Sequence, residues 1–148
     1  MNNTAPAFPV TDFTPQKDYL SFSAPINQTL TLTTKTGAGV TFTAAEVLSG
    51  LIFHDTSSGA VSDTLPTAAL LIPQIEGAEV GSTVHLLIRN TSAGAGTITL
   101  VAGTGCTLSG TSASTTIAYL TQVEFLIRVT AIGQTPTYTV YGLGAATF

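Results

Sequence analysis

Gln122-Val123-Glu124-Phe125-Leu126-Ile127-Arg128-Val129-Thr130 alternates apolar and polar residues with a period of two, the signature of a strand with one buried face. Val123, Phe125, Ile127 and Val129 point to one side, and Glu124, Leu126 and Arg128 to the other. Upstream, the segment 83–90 does the same, with Val84, Leu86 and Ile88 opposing His85, Leu87 and Arg89. A sheet with one dry face needs a second layer to cover it, so these two segments predict a layered, all-β domain.

Other segments extend the pattern in both directions. Residues 137–143 set Tyr138 and Val140 against Thr139, Tyr141 and Leu143, and residues 114–120 fit a further strand. Thr29-Leu30-Thr31-Leu32-Thr33 alternates hydroxyl and leucine, and Gly37-Ala38-Gly39 supplies a hairpin turn returning through Val40-Thr41-Phe42. The order recurs at residues 97–100, Gly103-Thr104-Gly105 and Thr107-Leu108, which predicts a second hairpin. Leu51-Ile52-Phe53 reads as a buried strand ending at His54-Asp55.

Two short helices interrupt the strands. Thr43 and Glu46 have capping-box spacing, predicting a helix through Leu48. A second fits residues 66–75, where Pro73 must kink or shorten it. Turn signals about 8–12 residues apart then predict a jelly-roll-like antiparallel β-sandwich of about eight strands over residues 29–148. Residues 1–28 carry Pro6, Pro9, Pro15 and Pro25 without either periodicity, which predicts an extended N-terminal arm. Its aromatics Phe8, Phe13, Tyr19 and Phe22 are the expected contact residues, since freely disordered segments are poor in aromatics.

Only 8% of residues are charged, where a soluble domain ordinarily has about 25%. The 28 threonines supply much of the polarity instead. Hydroxyls cost less to desolvate than charges, so such a surface suits protein contacts. A net charge of -4, with Lys17, Lys35, Arg89 and Arg128 scattered, removes the basis for nucleic-acid binding. The densest apolar run, Ala68-Ala69-Leu70-Leu71-Ile72, stops at Pro73, far short of the ~20 residues a membrane span needs. The N-terminus lacks the basic and apolar regions of a secretory signal, so synthesis in a cytoplasm is expected.

Reactive constellations are scarce. His54 and Asp55 are neighbours on a strand and point to opposite faces. Glu124 and Arg128 share a face but sit about 13 Å apart. Cys106 is the single cysteine and has no ligand-spaced partner, while Gly103-Thr104-Gly105 lacks the lysine and helix of a phosphate loop. No catalytic residue, metal site or cofactor is expected, and the chain is predicted not to be an enzyme.

One series of segments resembles a known family as a whole. It runs from Thr43-Ala44-Ala45-Glu46-Val47-Leu48-Ser49-Gly50-Leu51-Ile52 to Asp63-Thr64-Leu65-Pro66-Thr67-Ala68-Ala69 and Gly77-Ala78-Glu79-Val80-Gly81-Ser82. It continues through Arg89-Asn90-Thr91-Ser92-Ala93 to Gly103-Thr104-Gly105-Cys106-Thr107-Leu108. This order resembles tailed-bacteriophage virion surface proteins, found as capsid decoration (cement) proteins and as domains of head or tail fibres. The resemblance covers residues 40–143, and Pro73 departs from that family's uninterrupted helix. It implies a structural virion protein on the outer capsid surface, a homo-oligomer with a trimer preferred, partnered by the phage major capsid protein. A fibre-tip or receptor-binding module is the alternative, with the loops at 56–59 and 109–112 touching a host glycan.

Overall fold

The computed structural model describes residues 30–110 and 115–147. Strands β1 (Thr31–Thr36), β2 (Gly50–Asp55), β3 (Val61–Thr64), β4 (Thr83–Asn90) and β5 (Ile98–Val101) are followed by β6 (Cys106–Ser109), β7 (Thr116–Ile117), β8 (Thr121–Ala131) and β9 (Thr137–Thr147). Helix α1 (Ala44–Leu48) precedes β2, and α2 (Ala68–Leu71) precedes β4. The larger sheet has the order β1-β2-β4-β8-β9-β6, and the smaller β3-β5-β7.

The alternation in β4 and β8 is realised as expected. Leu86, Ile88, Val123, Phe125, Ile127 and Val129 are all buried on the inner face, joined by Ile52 from β2 and by Tyr138 and Val140 from β9. Ile98, Leu100 and Ile117 face them from the smaller sheet, and Val47, Leu71 and Ile72 close the core from the helices.

The all-β class therefore holds, but the ladders are mixed. Pairs β4–β8, β8–β9 and β5–β7 are antiparallel, whereas β1–β2, β2–β4, β3–β5 and β6–β9 are parallel. Period-two patterning says which face is buried and nothing about which neighbour or direction a strand takes. Both predicted hairpins are corrected for that reason. After β1 the chain crosses through α1 and returns alongside it as β2 in the same direction, with residues 40–42 running beside β3 instead. After β5 the turn at 102–105 moves the chain from the smaller sheet to the larger, where β6 joins β9. Strand β7 is shorter than the 114–120 expected, and β3 went unforeseen because Val61-Ser62-Asp63-Thr64 has no apolar alternation.

Both helix boundaries have local causes. The Glu46 amide donates to Thr43 Oγ1 at 3.2 Å, and the Thr43 amide to Glu46 Oε2 at 2.9 Å, so the capping box forms as predicted. Glu46 also pairs with Lys35 of β1. Burial pushes its carboxyl up, but the Lys35 ammonium and Thr43 amide outweigh this and hold it below the usual range. The second helix is α only over Ala68–Leu71 and tightens into a 3₁₀ turn at Ile72–Gln74, because Pro73 has no N–H to give to the preceding turn. Pro66 lies before the N-cap Thr67 rather than inside the helix.

Candidate functional site

Inside the sandwich, five buried polar residues, His54, Thr56, Asp63, Asn90 and Ser92, line the end where β2 and β4 finish and β3 and β5 begin. Parallel pairing of β2 with β4 and of β3 with β5 brings these termini together. His54 Nδ1 lies 2.8 Å from Asp63 Oδ2, and Asp63 Oδ1 accepts from the Val40 amide at 3.1 Å. Asn90 Nδ2 donates to the carbonyls of Gly96 (2.9 Å) and Ile117 (3.2 Å), while its Oδ1 accepts from the Ser92 amide at 3.1 Å. Ser92 Oγ accepts from the amides of Ser58 (3.0 Å) and Gly94 (3.4 Å).

This seam locks the loops at 56–59 and 91–97 together. A Cβ on Gly96 would collide with Thr56 Oγ1 and the Gly59 carbonyl, and one on Gly94 with Ser58 Oγ, so glycine permits the close approach. Both side chains of the His54–Asp63 pair are wholly buried. Their contact pins β2 to β3 inside the core.

A second internal tie lies on β9. Tyr138 donates its hydroxyl hydrogen to the Pro66 carbonyl at 2.6 Å, with the Cys106 thiol beside it. Burial pushes the Tyr138 phenol far up, with the neighbouring Cys106 adding to it. Burial raises the Cys106 thiol as well, against a smaller lowering by its Tyr138 and Gly103 hydrogen bonds. A thiol held protonated is a poor nucleophile and metal ligand. Among the described residues, no group of three or more His, Cys, Asp or Glu side chains is placed to hold a metal ion.

The surface is the more informative side. The outer face of the larger sheet carries Leu51 and Phe53 from β2, Leu87 from β4, Leu126 from β8 and Tyr141 from β9, all partly exposed. Leu32 on β1 and Leu143 on β9 stand exposed at its two rims. The outward leucines at 87 and 126, read from the strand alternation, are therefore where expected. Asp55, Arg89, Glu124 and Arg128 put charges on this face among the apolar side chains. His85 Nδ1 meets Glu124 Oε1 at 2.8 Å across β4 and β8, and the Arg89 guanidinium lies over the Phe53 ring at 5.2 Å. The opposite face is covered by the smaller sheet and the helices. Leu51, Phe53, Leu87, Leu126 and Tyr141 thus form an apolar stripe across this face.

Of the residues expected to make contacts, Phe8, Phe13, Tyr19 and Phe22 lie outside the described residues, as does the whole predicted arm at 1–28. The loop at 56–59 is held rigidly, with Ser57 and Ser58 at positive φ and the Ser57 amide donating to Asp55 Oδ1. Ser109 ends β6 and Gly110 follows it, while Thr111 and Ser112 fall outside the described residues. His54, read as a polar strand end beside Asp55, is joined instead to Asp63, a contact between segments that no local pattern announces. None of the described helices is long and apolar enough to cross a membrane. Compared with protein-family models, curated proteins and solved structures, the chain has no match.

Proposed function

We propose that this chain is a structural virion protein, a capsid decoration (cement) protein that binds the outer surface of a phage head and stabilises it through contacts between its own copies. The observation that carries this reading is the outer face of the six-stranded sheet, with Leu51, Phe53, Leu87, Leu126 and Tyr141 on a protein with 8% charged residues. Burying the apolar part of that face against protein gains about 25 cal/mol per Å² of apolar area. The resemblance over residues 40–143 supports the same assignment. Its motif residues fall at positions that brace the fold: the Thr43–Glu46 capping box, Asp63 against His54, Pro66 under Tyr138, and Asn90 with Ser92 between the loops.

The partners are then the phage major capsid protein and further copies of this chain, a trimer being the preferred assembly, and the location is the virion surface. Phe8, Phe13, Tyr19 and Phe22 are the arm residues assigned to capsid or subunit contacts, each contributing about 1.5–3 kcal/mol if fully buried. The test is sedimentation of the protein with phage heads stripped of their decoration protein. Saturable occupancy that is lost on deleting residues 1–25 is the expected result, and occupancy unchanged by the deletion removes the arm from the contact.

A fibre-tip or receptor-binding module is the second reading, favoured by the rigid pairing of the loops at 56–59 and 91–97 at one end of the sandwich. Binding to a glycan array without any binding to heads would select it.

A further inference from the structure

Among the described residues, the six-stranded sheet ends in two edges without a main-chain partner that match each other. On one side, among the described residues, β1 pairs with β2 alone, along six residues. On the other, among the described residues, β6 covers β9 as far as Tyr141, and residues 142–147 pair with β8 alone. Among the described residues, no main-chain hydrogen bond outside the ladders reaches the outer edge of β1 or of residues 142–147. Residues 143–147 are exposed on both faces.

Register places the two edges at one height. Thr34 pairs with Phe53, Phe53 with Arg89, Arg89 with Gln122, and Gln122 with Ala146. The same path one residue earlier joins Thr33 to Ala145. The direction agrees too. β1, β2 and β4 are mutually parallel, and two antiparallel steps through β8 bring β9 back to that direction. Each bare edge is thus six residues long, level with the other and of the same polarity.

We propose that a second copy of this chain fills each edge, with β1 of one subunit pairing in parallel with residues 142–147 of the next. This deepens the assembling-subunit reading above and rests on it for its purpose. A two-fold pairing of either edge with itself would leave the other exposed, whereas the head-to-tail arrangement uses both. Because the edges are level, neighbours join without a shift along the strands, and the assembly is a ring where the rotation between neighbours closes. Charge allows the approach. Residues 142–147 carry none, and the single charge on β1, Lys35, is already paired with Glu46 of its own chain. Small side chains at Gly142, Gly144, Ala145 and Ala146 let a neighbouring strand lie close. The outer apolar face would then run without a break from one subunit to the next.

Multi-angle light scattering of the full chain tests this. The expected result is one discrete mass, a small multiple of 15.1 kDa. Ala146→Glu should reduce it to the single-chain mass with circular dichroism and melting temperature unchanged. Adding Thr34→Lys in the same chain should restore the ring, because every junction then brings one of each charge together. A wild type at single-chain mass up to its solubility limit would overturn the proposal, as would an assembly indifferent to Ala146→Glu or a double variant that stays monomeric. A chain that assembles only once residues 1–29 are removed would assign the edge to its own arm and equally overturn it. None of these outcomes depends on head binding, so the sedimentation assay judges the decoration reading separately.

Discussion

Replacing Asn90 with alanine removes, in one step, a side chain that satisfies three buried main-chain groups: the carbonyls of Gly96 and Ile117 and the amide of Ser92. Each buried group left without a partner costs about 1–3 kcal/mol, so the unrelaxed ceiling is about 9 kcal/mol. The loop at 91–97 reaches the surface at Ala93 and Ala95 and can admit water to part of the gap, which brings the expected loss to about 3–5 kcal/mol. Against a total stability of about 5–15 kcal/mol, that is a large fraction. With a urea slope of about 1.5 kcal/mol/M, the unfolding midpoint should fall by about 2–3 M. Asn90→Asp separates hydrogen bonding from shape. Its carboxylate can still accept from Ser92 but faces the Gly96 and Ile117 carbonyls, which raises its proton affinity in the folded state. The folded pKa then lies above the unfolded value of about 3.9, so the variant is least impaired below that pH and loses further stability as pH rises through it. Urea titrations of the wild type and both variants, near pH 3.5 and pH 7, measure this. A loss under about 1 kcal/mol for Asn90→Ala, or an Asn90→Asp penalty that does not grow with pH, would refute the seam as the lock between the loops.

Tyr138→Phe should cost about 1–3 kcal/mol in chemical denaturation, since the Pro66 carbonyl loses its buried donor. Wild-type stability should decline as pH rises above about 9, because the unfolded chain releases the Cys106 and Tyr138 protons at their ordinary values of 9.0 and 10.0 while the folded chain retains them. Denaturation midpoints at pH 8 and pH 10.5 should converge in Tyr138→Phe/Cys106→Ser relative to the wild type. Thr43→Ala should lower stability by about 1 kcal/mol through loss of the capping box. Glu46, held below the ordinary carboxylate range, contributes stability that is present above that range and disappears as pH falls through its folded value. Glu46→Gln should therefore flatten the acid limb of the stability curve, which thermal melts from pH 7 downwards will detect.

Much of this protein could be read without coordinates, because the features concerned are local. Val123, Phe125, Ile127 and Val129 had to be buried together, Thr43 and Glu46 had to cap a helix, and Pro73 had to end one. A strand's faces, a cap and a missing amide are properties of a few consecutive residues. The outward leucines at 87 and 126 were legible for the same reason. What required the tertiary structure was every relation between distant segments. The glycine turns at 37–39 and 103–105 read as hairpins because a turn reveals only that the chain reverses, and the long-range ladders then sent β1 to β2 in parallel and β6 to β9. His54 found Asp63, Asn90 found Gly96 and Ile117, and the bare edges of β1 and β9 came to the same height through four successive registers. Hydrophobic alternation sets which side of a strand is dry. Only the competition among all strands for neighbours decides which polar groups meet inside and which edges remain open.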